Sequence, residues 1–181
     1  MPIDKQHLIH EIYRQSCHQG IASPLVTRLV KLLYLADLEW RRRHAGEPLT
    51  DLTWEFLHYG PYARELADTL GGPEVEAAEF KSGRVGRRLT FSPEDLQESQ
   101  VPDRVGRLLE DLVARWGSVD LNALLDHVYF DTEPMQEAVR GARLDFSKVA
   151  PIEQLPPPRF DQRRLQELRE RLQRDTRRLN L

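Results

Sequence analysis

The sequence predicts a mainly α-helical protein: a compact domain of about six helices with a small β-hairpin insertion, followed by a C-terminal helical appendage. Apolar residues recur at three- and four-residue steps through most of positions 1–149, the spacing that gives a helix one apolar face. Proline and glycine stand where those periodic runs begin and end. Only between Val75 and Phe91 does the apolar spacing fall toward two, as a pair of strands requires.

Residues 4–19 read as the first helix. Asp4 is its cap, Leu8, Ile9, Ile12 and Tyr13 form its apolar face, and Gly20 stops it. Ser23-Pro24 then offers a capping hydroxyl followed by proline at a first helical position, where the missing N–H costs nothing. The helix expected from there to about His44 carries Leu25, Leu29, Leu32, Leu33 and Ala36, and Arg41, Arg42, Arg43 and His44 suit the negative end of its dipole. Gly60-Pro61 looks like another helix start, with Leu66 and Leu70 facing inward and Gly71-Gly72-Pro73 ending it. VEAAEF, the turn KSG and RVGRRLTF suggest the hairpin. Helical spacing resumes at Pro102 with Val105, Leu108, Leu109, Leu112, Val113 and Trp116, closed by Gly117. Ser118 or Asp120 starts a further helix with Leu121, Leu124, Leu125 and Val128. Thr132-Glu133-Pro134 begins a short last core helix holding Met135, Ala138 and Val139.

The run APIEQLPPPRF, residues 150–160, holds three consecutive prolines that favour a stiff extended segment. It marks the expected boundary between a helical domain, 1–149, and an amphipathic, arginine-rich C-terminal helix, 161–181. In that tail Leu165, Leu168 and Leu172 share a face and are candidate contact residues, and Glu167–Arg171 and Glu170–Arg174 are i,i+4 pairs. So short a helix needs something to dock on, such as a second copy of the chain in a homodimer.

Composition narrows the function. Hydrophobic residues are 40% and charged residues 30% of the chain, a soluble globular balance. No run of about 18 apolar residues could span a membrane, and the first residues lack the apolar stretch of a secretory signal. Cys17 is the sole cysteine, so no internal disulfide is possible and a cytoplasmic location is expected. The net charge of −3 gives no overall attraction to nucleic acid. Eight arginines from Arg159 onward stand among four acidic residues, which weakens a phosphate-binding reading of the tail.

Signatures of enzyme chemistry are missing. His7 and Glu11 share a helix face, but the two imidazoles and intervening glutamate of a zinc signature are not there. No Cys-x-x-Cys, phosphate-cradling glycine loop or nucleophile elbow occurs. No catalytic residue, metal ligand or cofactor is therefore expected. The densest chemistry is aromatic: Trp40, Trp54, Phe56, Tyr59 and Tyr62, beside His44 and His58, around one loop and two expected helix ends. Aromatic side chains bury large area with few rotors and carry much of the energy of protein interfaces. Tyr34, Asp37, Trp40, Trp54, His58, Tyr59 and Tyr62 are the candidate partner-binding set.

Three strings in order carry a family resemblance: Lys31-Leu32-Leu33-Tyr34-Leu35-Ala36-Asp37, then Gly46-Glu47-Pro48-Leu49-Thr50, then Tyr59-Gly60-Pro61. The chain resembles the antitoxin SocA-like, or Panacea, domain family over Ile9 to about Gly72, and more loosely over Leu108 to Phe146. It departs in having Tyr62 where the family has a small branched residue after Gly-Pro. The resemblance implies an antitoxin-like module of a toxin–antitoxin or phage-defence system. Such a module neutralises a cognate protein toxin by direct binding or hands it to a protease. The alternative is a nucleic-acid-associated regulator using Arg41-Arg42-Arg43 and Arg84, Arg87 and Arg88.

Overall fold

The computed structural model describes residues 2–21, 24–71, 75–79, 85–91 and 98–151. The chain divides into a unit Met1–Pro151 and a second unit, Ile152–Leu181. The second unit, with the polyproline run and the tail leucines Leu165, Leu168 and Leu172, lies outside the described residues.

The first unit is mainly helical, with five α-helices and two hairpins among its described residues. Helix α1 spans Lys5–His18, and the Asp4 carboxylate accepts the Gln6 N–H at 2.7 Å as its cap. Helix α2, Val26–Arg43, is the spine. Leu29, Leu32, Leu33, Tyr34, Ala36, Asp37 and Leu38 on it are all fully buried, the pattern of a helix covered on every side. It packs against α1, against α3 (Asp103–Trp116) and against α4 (Leu121–Phe130). Leu8, Ile9 and Ile12 from α1 and Leu108, Leu109 and Leu112 from α3 complete the core. Each such side chain contributes about 1.5–3 kcal/mol by leaving water. Asp120 caps α4 by accepting from Asn122 N–H at 2.9 Å.

The start of α2 differs from the expectation. Pro24 and Leu25 are not its first helical residues. Leu25 is extended (φ −63°, ψ 139°) and the helix begins at Val26 without a side-chain cap. The reason is pairing with the hairpin of β3 (Val75–Glu79) and β4 (Val85–Leu89): Leu25 stands opposite Arg88, and Leu89 N–H donates to Pro24 O at 3.3 Å. Ser23 lies outside the described residues. The hairpin itself forms where the alternating spacing placed it, with Val75 opposite Leu89.

The expected helix at Gly60-Pro61 is also corrected. Trp54–Leu57 (β1) and Gly60–Ala63 (β2) are antiparallel strands in the register Trp54↔Ala63 and Leu57↔Gly60. His58 and Tyr59 make the turn, and Gly60 follows it at φ +87°. That left-handed conformation suits the exit of a tight hairpin turn and cannot start a helix. Two 3-10 turns, Arg64–Leu66 and Thr69–Gly71, replace the rest of the expected helix, and Leu66 and Leu70 are buried as anticipated. Helix α5 is one turn, Glu133–Gln136. It ends before Val139, which is exposed rather than core, because Val139 opens a turn, its carbonyl accepting Ala142 N–H at 3.0 Å, that brings the chain alongside β1. There Gly141 N–H donates to Phe56 O at 2.7 Å, and Leu144 N–H to Trp54 O at 2.8 Å.

Candidate partner-binding face

Asp37 and Lys31 of α2 fasten the segment 46–63 to the core, and Tyr34 of the same helix holds Thr132. The Asp37 carboxylate is fully buried. One oxygen accepts the Leu49 N–H at 2.7 Å and the other the Trp54 indole N–H at 3.0 Å. Arg41 adds a longer contact at 3.3 Å and lays its guanidinium over the Phe146 ring at 4.4 Å. Lys31, also buried, donates from Nζ to Pro61 O at 2.8 Å. Tyr34 meets Thr132 Oγ1 at 2.9 Å, while the Thr132 hydroxyl donates to Val128 O at 2.6 Å. With one proton on Thr132 already used, Tyr34 is the donor. Burial pushes the Tyr34 phenol well above its usual range, so it stays neutral and able to donate.

These contacts explain the spacing of the sequence strings. Lys31 and Asp37, six residues apart on one helix, reach the Gly-Pro of the hairpin and the Pro-Leu of the preceding loop respectively. Gly46, at φ +88°, lets the chain leave α2 and turn toward Leu49, its N–H donating to Arg41 O at 2.9 Å. Residues 29–131 match the family model for the antitoxin SocA-like, Panacea domain. The chain belongs to this family. No curated protein and no solved structure matches it.

Within this Panacea domain the sequence-predicted contact residues separate into two groups. Tyr34, Asp37 and Trp54 are inside the protein, and Trp40 is nearly so, stacked on His44 at 3.7 Å between ring centroids. They present almost no surface to a partner and hold the face from beneath. His58 and Tyr59 are exposed at the hairpin turn and Tyr62 is half-buried.

The exposed turn continues into residues that sequence reasoning missed. Tyr59, Phe130 and Val139 are 74%, 62% and 71% exposed, and among the described residues they are the large apolar side chains left in water. Tyr129 and Phe56 link them. A Cβ on Gly60 would lie 3.2 Å from the Tyr129 ring, so the hairpin rests on that ring. Tyr129 meets Phe56 edge-on at 5.8 Å and lies 6.4 Å from Phe130. Arg140, next to Val139, stands over Phe56 at 5.8 Å. The signal for Phe130 was present in the sequence, since Tyr129-Phe130 falls off the Leu121/Leu124/Val128 stripe. Val139 gave none, because it reaches the face through the long-range pairing of residues 141–144 with β1. The family match includes Tyr59 and Phe130 and stops short of Val139.

Gly60→Ala is expected to lower stability by about 1–2 kcal/mol from the left-handed backbone alone, and further by pushing on Tyr129. A thermal melt checks this, and an unchanged midpoint would contradict the tight seat of hairpin on ring. Elsewhere, an open cleft of about 450 Å³ is lined by Arg41, Gly46, Phe146 and Pro151 among others. Its one charged group, Arg41, already contacts Asp37. Among the described residues no cluster of His, Cys, Asp and Glu is arranged to hold a metal.

Proposed function

We propose that this domain is an antitoxin module that neutralises a protein toxin by stoichiometric burial of the face formed by Tyr59, Phe130 and Val139. The observation that carries the reading is that Tyr59, Phe130 and Val139 are exposed in a member of an antitoxin family and are tied to one cluster through their neighbours: Gly60 rests on Tyr129, Tyr129 meets Phe130 and Phe56, and Arg140 stands over Phe56. An apolar patch with aromatic anchors and a polar rim is the common form of a protein contact surface. His58, Tyr62 and Arg140 form part of that rim. Neutralisation needs no bond to be broken by the domain, and handing the bound toxin to a protease is an extension of the same contact.

The arginines at the end of α2 favour this reading over nucleic-acid binding. Arg41 faces Asp37 at 3.3 Å, Arg42 pairs with Glu133 at 2.5 Å, and Arg43 pairs with Glu39 at 3.1 Å. Guanidiniums already paired with carboxylates are poor phosphate ligands. The test places a photocrosslinking benzoylphenylalanine at position 130 of the full chain in its native cell, with position 110 on α3 as a control. One protein captured from position 130, absent from 110, whose expression arrests growth, is the expected result. Capture of nucleic acid, or the same adducts from both positions, would overturn the reading.

A further inference from the structure

Beneath the hairpin lies a group that the family reading does not explain. Lys31 is 2% exposed, and its Nζ donates to one acceptor, the carbonyl of Pro61, two residues from Tyr59. It has no carboxylate partner among the described residues. Leucine or methionine would fill the same space without burying an amine, so the amine's presence calls for a role beyond packing. We propose that Lys31 is a positioning residue for the partner-binding hairpin: its bond to Pro61 O holds the Tyr59 turn down on Tyr129, and protonation of the amine releases it. This rests on the reading of the Tyr59 face as the binding surface.

A neutral amine satisfies the Pro61 carbonyl and buries no charge. An ammonium has three donors and a positive charge against that single acceptor, an arrangement that costs free energy in a dry site. Around Lys31, Arg28 and Tyr34 stand a turn to either side on α2, Tyr62 adjoins Pro61 on β2, and Tyr129 lies under the hairpin on α4. None of these contributes to the shift: burial alone pulls the Lys31 pKa from 10.5 to about 7. An opened hairpin, with Lys31 in water, keeps a proton that the closed form gives up. Closing is therefore favoured as pH rises from about 7 toward the ordinary lysine range, by up to about tenfold per pH unit; below about 7 both forms hold the proton and the penalty on closing stays at its full value.

The test uses the full chain with 13C-labelled lysine, whose four lysines make the spectrum simple. A His58→Gln background removes the imidazole in the turn itself. The Lys31 Cε signal is expected to titrate near pH 7, with the amides of Gly60, Tyr62 and Ala63 moving at the same midpoint. In Lys31→Met those amides stay still. An ordinary lysine titration for Lys31, static hairpin amides from about pH 6 to about pH 9, or amides that still titrate in Lys31→Met would each overturn the proposal. If Lys31→Met does not fold, the first two outcomes, read on the unsubstituted Lys31, decide it alone. No partner is needed, so failure here leaves the toxin-binding reading intact, and failure of toxin binding leaves the titration unchanged.

Discussion

Asp37→Ala is expected to cost about 3–5 kcal/mol of folding free energy, the range for removing one partner of a buried charged contact. The carboxylate satisfies Leu49 N–H and the Trp54 indole N–H in a site from which water is excluded. Deleting it leaves both donors without an acceptor, each at about 1–3 kcal/mol, and leaves Arg41 facing a void. Domains of this size are stable by only about 5–15 kcal/mol, so the variant would sit at the margin of folding. Asp37→Asn should cost less: one amide oxygen can still receive Leu49 N–H while its NH2 opposes the indole donor. Urea denaturation of the three proteins checks the order. A loss below about 1 kcal/mol for Asp37→Ala would mean that the loop and β1 do not depend on this residue.

Tyr59→Ala with Phe130→Ala is expected to weaken toxin binding at least about 100-fold, which is about 2.7 kcal/mol, while leaving the fold in place. Both side chains are mostly in water in the free domain, and truncating such residues usually changes stability by no more than about 0.5 kcal/mol each. Trp54→Ala should do the reverse. It empties a core position beside Tyr34 and should cost about 3–5 kcal/mol, so any loss of binding would follow loss of structure. Calorimetric titration alongside thermal melts separates the two cases. Equal affinity for the double variant and the original chain would remove the face from the account.

Much of the helical frame was legible because its signals are local. Asp4 and Asp120 were readable as caps, Gly20 and Gly117 as stops, and the alternation after Val75 as a hairpin. The misreading at Gly60-Pro61 has a physical cause. Proline after glycine suits a first helical turn and a strand following a tight turn equally, and only pairing with Trp54–Leu57 decides between them. A linear pattern likewise cannot tell a buried polar residue from an exposed one, so Tyr34 and Asp37 resembled contact residues when they are braces. Tyr59 was visible as part of an aromatic run. Its link to Phe130 and Val139 depends on the seat of Gly60 on Tyr129 and on the bonds of residues 141–144 to β1, which no short window contains.

The most direct test of the central claim is a growth assay. Cells expressing the captured toxin would receive either the original domain or the folded Tyr59→Ala, Phe130→Ala variant at matched levels. The original is expected to restore growth once it reaches about one copy per toxin, and the variant to fail at the same level. Rescue by both at equal doses, or rescue by the original far below one copy per toxin, would contradict stoichiometric binding through this face.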